Sequence, residues 1–98
     1  MPYHVIVSPS VSRAIGSSGL SRELRVQVLA TLREELAYNV ERYKHLRIPC
    51  DEDRLLAFRV RLADETQWHI CTFVVDDATA QDTLFVLAMS YQSRPIPP

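Results

Sequence analysis

Three apolar runs separated by short polar breaks dominate the second half of the chain. They cover Leu55 to Leu62, Gln67 to Val75 and Thr83 to Tyr91, and none contains Gly or Pro. The breaks are Ala63-Asp64-Glu65-Thr66 and the segment from Asp76 to Asp82. Strand-length runs rich in Val, Ile, Leu, Phe and Trp, joined by short polar links, predict an antiparallel meander. The first half has a different period. Tyr3-His4-Val5-Ile6-Val7 is a short apolar run ended by Ser8-Pro9, and it predicts a first strand. Ser8 or Ser10 is a cap for a short helix starting near Pro9, running to about Ser17 and stopping at Ser18-Gly19. Ser21 is the predicted N-cap of a longer helix, with Glu23 near the positive end of its dipole. Leu24, Val28, Leu32, Leu36, Val40 and Tyr43 then recur in steps of four and three, which places them on one helical face. This helix is predicted to reach about residue 45, with Lys44 and His45 in its last turn and Pro49 beyond it.

The predicted order is therefore strand, helix, helix and three strands, an α+β domain with two helices on one face of a twisted antiparallel sheet. The first strand pairs with the meander, because a lone short strand is not stable. The second face of the sheet is left partly open, and function is expected there. Ser93-Arg94-Pro95-Ile96-Pro97-Pro98 is rich in proline and is expected to be an extended, mobile tail. The reading is thus a single domain over residues 1–92 and a tail over residues 93–98.

Composition narrows the class. A chain of 98 residues, 47% hydrophobic and 23% charged, makes one domain that buries a core and keeps a polar surface. No run approaches the roughly 20 apolar residues of a membrane span, and the N-terminal residues lack the pattern of a signal peptide. A cytoplasmic protein with no membrane partner is expected. Cys50 and Cys71 match no zinc spacing and are too few for a disulfide scaffold, so both are expected to be reduced thiols. The net charge of −1 hides an uneven distribution. Residues 13–61 hold ten of the eleven Lys and Arg against seven acids, a net of +3, whereas residues 62–98 hold five acids and only Arg94, a net of −4. That balance is milder than in a strongly basic nucleic-acid binder. Asp51-Glu52-Asp53 and Asp76-Asp77 lack the Gly-spaced pattern of a calcium loop, and with two glycines there is no phosphate-cradling loop. No metal and no cofactor are expected.

The long helix followed by the segments Phe58 to Leu62, Trp68 to Asp77 and Leu84 to Tyr91, with Tyr3 to Val7 ahead of them, resembles the RelE/ParE superfamily of bacterial toxins. The likeness covers most of the chain and is one of residue types. The chain departs from the nucleases of that family in carrying His69 after the strand-opening Trp68, where they usually have Arg. The resemblance implies the toxin component of a type II toxin–antitoxin pair, held inactive by an antitoxin protein. RelE-like members cut messenger RNA on the ribosome, and ParE-like members inhibit gyrase without nuclease residues. A homodimer is kept among the partners.

Strand alternation sets the expected site. Phe58, Val60 and Leu62 share one face and Arg59 and Arg61 the other. Trp68 and Ile70 are taken as inward, leaving His69 and Cys71 outward. A hairpin around residues 63–66 then brings His69 to the open face with Arg59 and Arg61, approached by Tyr91 or Arg94. RNA cleavage through the 2′-hydroxyl needs a base, an acid and cations on the phosphate. His69 is the candidate base or acid, Arg59 and Arg61 the phosphate holders, and Tyr91 a stacking or proton-transfer group. Lys44, His45, Arg47 and Arg94 are candidate RNA contacts, although Lys44, His45 and Arg47 equally suit a helix C-terminus. Two functions stay open: a ribosome-dependent messenger-RNA endonuclease, and a catalytically silent module that binds a protein, either gyrase or an antitoxin.

Overall fold

Ser8 starts the helical part of the chain by local chemistry alone. Its hydroxyl oxygen accepts from the Val11 N–H (3.4 Å), its backbone is extended (φ −67°, ψ 153°), and Pro9 brings a suitable φ to the first turn. The computed structural model describes residues 3–39, 55–76 and 82–97. They form β1 (His4–Val7), α1 (Pro9–Ser17), α2 (Arg22–Asn39), β2 (Leu55–Ala63), β3 (Gln67–Asp76) and β4 (Thr83–Pro95). Gly19, with φ +85°, takes a conformation that side chains resist and separates the two helices. Ser21 Oγ accepts from the Leu24 N–H at 3.2 Å and opens α2. Val28, Leu32 and Leu36, spaced by four, are the buried residues of α2. The predicted last turns of this helix, with Lys44, His45 and Arg47, lie outside the described residues, as does Cys50.

The sheet is mixed, with strand order β1-β4-β3-β2. The meander is as expected: β2 pairs antiparallel with β3, and β3 with β4. β1, however, pairs parallel with β4, from His4 opposite Thr83 to Val7 opposite Val86. This corrects the expectation of a wholly antiparallel sheet. No hairpin joins β1 to β4; the chain returns by a long crossover containing both helices, which is what parallel pairing requires. Tyr3 N–H donates to the Ala37 carbonyl (2.9 Å) and so ties the start of β1 to α2.

The expected tail is also corrected. β4 runs through Pro95, and the Ile96 N–H donates to the Thr66 carbonyl at 3.0 Å. Proline is tolerated because β1 covers β4 only as far as Val86; beyond it, β4 has β3 on one side and an open edge on the other. A bulge shifts the β3–β4 register: Val75 faces Val86, but Val74 faces Ala88, leaving Leu87 as the extra residue. Ser8 and Ser10 hydroxyls both donate to the Leu87 carbonyl at 3.3 Å, which fastens the start of α1 to the bulge.

The core lies between the helices and one sheet face. It joins Val11 and Ile15 of α1 and Val28, Leu32 and Leu36 of α2 to Leu56, Phe58, Val60, Cys71, Phe73, Val75, Leu84 and Val86. Cys71 is a buried free thiol, and burial pushes its pKa up to about 11. Among the described residues, no helix is long and apolar enough to cross a membrane.

Candidate functional site

Cross-strand partners in a sheet share a face, so the registers decide which side chains meet. On the open face, Arg59 stands opposite Thr72 and Arg61 opposite Ile70. Ile70 in turn faces Gln92, and Trp68 faces Arg94. Arg59, Arg61, Trp68, Ile70, Gln92 and Arg94, with Pro95 and Pro97, line a shallow groove of about 380 Å³. Among the described residues, the lining contains three guanidinium groups and no carboxylate. The Arg61 guanidinium carbon lies 4.9 Å from the centre of the Trp68 ring, a cation–π arrangement that holds both groups in place. Arg59 donates through Nε to Thr72 Oγ1 at 3.4 Å. The groove is thus a cationic surface beside a flat aromatic ring, with Arg59 and Arg61 each held by a neighbour. It suits phosphate and a stacked base.

His69 is on the other side of the sheet. It is 7% exposed, pairs with Leu62 and faces the helices. Its Nε2 lies 2.6 Å from Asp64 Oδ2, and its Nδ1 lies 2.6 Å from the Tyr91 hydroxyl. The imidazole and phenol rings stack at 5.9 Å and 15°. Asp64 Oδ1 accepts from the Thr66 N–H (2.8 Å), the Thr66 hydroxyl (3.2 Å) and the Gln67 N–H (2.7 Å). The hydrogen bond from His69, then those from Thr66 and Gln67, hold the Asp64 carboxyl well below the usual carboxylate range. A carboxylate only accepts, so Nε2 carries a proton. In the neutral imidazole, Nδ1 then accepts from the Tyr91 hydroxyl. The order is Tyr91 to His69 to Asp64.

A comparison with protein-family models finds no match, and a comparison with curated proteins finds no relative.

The structure therefore divides the expected site. It gathers Arg59, Arg61 and Arg94, and it moves His69 and Tyr91 to the helix face. The expectation that His69 shares the open face with the arginines is corrected, as is the outward placement of Cys71 and the inward placement of Trp68 and Ile70. The reason is parity. Phe58, Val60 and Leu62 face the core, and their partners across the hairpin are Phe73, Cys71 and His69. The apolar character of Trp68 and Ile70 does not outweigh that constraint. Asp64 is a functional candidate that reading the turn as a polar break misses. Its signal was the Asp itself near the head of a short polar break with a Thr two residues on, the pattern of an Asx turn. Among the described residues no three His, Cys, Asp or Glu converge on a metal position.

The Asp64 network makes a pH prediction. A carboxyl whose folded pKa is depressed stabilises the fold above its ordinary value of 3.8, and the contribution is lost as pH falls from there toward the folded value. Asp64→Asn is therefore expected to lower the urea midpoint at pH 7, with the gap to the parent narrowing below about pH 4. Equal gaps at pH 7 and pH 3 would show that the carboxylate charge contributes nothing.

Proposed function

We propose that this domain is a RelE/ParE-type toxin component that engages messenger RNA on the ribosome through the groove on its open sheet face. The observation that carries this reading is the convergence of Arg59, Arg61 and Arg94 around Trp68, with no acid among the described lining residues. Guanidinium forks fit phosphate oxygens in pairs, and a base can stack on an indole ring or on a guanidinium plane. Arg61 already lies over Trp68, so a base added to that stack needs little rearrangement. The arginines supply cations for a phosphate but no proton acceptor, since guanidinium does not give up its proton in proteins. In this reading they position and stabilise the strand, and His69 takes no part in proton transfer on that face.

A second reading, a catalytically silent module that binds a protein partner such as an antitoxin or gyrase, is favoured by one specific observation. Both ring nitrogens of His69 are engaged inside the protein. The two are separated by titrating a fluorescent single-stranded RNA octamer against the domain at several salt concentrations. The RNA reading expects binding whose log affinity falls with log salt with a slope of about −2, for three phosphate contacts at roughly −0.7 each. Induction in a bacterial host with mapping of messenger-RNA 5′ ends then reports cleavage. Absence of RNA binding and of ribosome association would leave the protein-binding reading in place.

A further inference from the structure

The second half of β4 is an open edge of the sheet. β1 covers β4 only as far as Val86, and among the described residues no other strand lies on that side. The Ile96 N–H donates to the Thr66 carbonyl, and this sets the phase of the β3–β4 ladder. Ala88, Ser90, Gln92 and Arg94 turn their main-chain groups toward β3, whereas Met89, Tyr91, Ser93 and Pro95 turn theirs outward. A row of outward N–H and C=O groups is a template for another strand, and natural edges are usually blunted by charge, proline or a bulge. Here the bulge at Leu87 and the ring of Pro95 stand at the two ends of the row. Between them, Ala88-Met89-Ser90-Tyr91-Gln92-Ser93 holds no charge, no Gly and no Pro. We propose that this edge pairs antiparallel with the same edge of a second copy of the chain, about a two-fold axis at Tyr91, and so joins two four-stranded sheets into one.

The edge is complementary to itself in one register. With Tyr91 opposite Tyr91 of the second copy, Met89 stands opposite Ser93 and Ser93 opposite Met89. Each outward N–H of these residues then meets an outward carbonyl. Pro95, which has no N–H to give, falls opposite Leu87, whose carbonyl already accepts from the Ser8 and Ser10 hydroxyls at 3.3 Å. Moving the axis to Ser90 sets the Ser93 N–H against that occupied carbonyl. Moving it to Gln92 leaves the Met89 carbonyl facing Pro95. Side chains agree with the same register: Ser90 faces Gln92 of the second copy and Arg94 faces Ala88, so no like charges oppose each other. A strand of another protein would have to reproduce the gaps at Leu87 and Pro95, which a second copy does by symmetry. The axis stands perpendicular to the sheet, so the open faces of both copies lie on one side, with an arginine-lined groove on each flank. The dimer does not rest on the RNA reading, because main-chain groups of the edge make it.

The test is sedimentation velocity of the full chain, without RNA, across the micromolar range up to about 200 μM. The parent is expected to sediment at twice the chain mass at the upper end. Ser93→Pro removes an outward N–H from each copy and leaves the β3–β4 ladder intact, as Pro95 does two residues on. It is expected to raise the dimer Kd about thirtyfold or more, the effect of two lost hydrogen bonds of ordinary net strength, with an unchanged circular-dichroism spectrum. Two charge variants probe the register. Ser90→Glu with Gln92→Glu, and Ser90→Lys with Gln92→Lys, each set like charges opposite one another across the axis. Each is expected to be monomeric alone, and an equimolar mixture of the two is expected to recover the dimer. They exchange only exposed side chains, so they decide should Ser93→Pro fail to fold. A parent that stays at the chain mass at the highest concentration overturns the proposal. So does a dimer that a folded Ser93→Pro variant and both charge variants leave unchanged.

Discussion

Phe73→Ala is expected to destabilise the domain by about 3–5 kcal/mol. Phe73 is fully buried on β3, which has β2 on one side and β4 on the other. Its ring lies 6.5 Å from that of Phe58, and its register partners are Phe58 and Met89. Truncation removes the transfer free energy of the ring and leaves a cavity that a central strand, paired on both edges, closes poorly. A domain of this length has about 5–15 kcal/mol of total stability, so the variant is left marginal or unfolded at 37 °C. Urea denaturation followed by circular dichroism measures the loss. Val26→Ala, at a residue 60% exposed on α2, is the control and is expected to change stability by less than about 0.5 kcal/mol. A Phe73→Ala loss below 1 kcal/mol would mean that the sheet face is not the packed centre of the core.

Reversing the charge of the open groove is expected to have the second large effect. The triple variant Arg59→Glu, Arg61→Glu and Arg94→Glu should lose at least roughly 100-fold in affinity for single-stranded RNA, because three phosphate contacts become repulsions. All three side chains are exposed, so the thermal midpoint should stay within a few degrees of the parent. Arg61→Lys is the finer probe. It keeps the charge but gives up the planar group stacked on Trp68, and it should weaken binding by more than charge conservation suggests. A triple variant that bound RNA as well as the parent would remove the groove from the RNA reading. If that variant instead lost association with a protein partner, the silent-module reading would gain the groove as its interface.

Much of the architecture is legible in residue order, because it rests on local periodicity. The caps at Ser8 and Ser21, the stop at Gly19 and the four-residue stripe Val28-Leu32-Leu36 are consequences of helix geometry acting over a few residues. So are the three runs of the meander and the polar turn that begins at Asp64. The faces of β2 are legible for the same reason, since Arg59 and Arg61 alternate with buried Phe58 and Val60. The face of β3 was legible in principle. Any hairpin joining these strands with one odd- and one even-numbered residue in each pair puts His69 with Val60 or Leu62, away from the arginines. Trp68 and Ile70 obscure this because they are as apolar as the residues that do face the core.

The sequence by itself determined the order of the elements, the starts of both helices and the arginine-bearing face of β2, all through interactions between residues near one another in the chain. Only the tertiary structure decided how those elements were joined and which distant side chains met. The parallel pairing of β1 with β4 depends on a long crossover, and no turn between them specifies its direction. The bulge at Leu87 is invisible in a run that is apolar at every position from Leu84 to Met89. Yet that one extra residue changes the parity of β4 beyond it. It turns Tyr91 toward His69 on the helix face and Arg94 toward Trp68 on the open face. Side-chain alternation has period two, so a single inserted residue exchanges the faces of everything that follows, and the two candidate sites owe their separate composition to it.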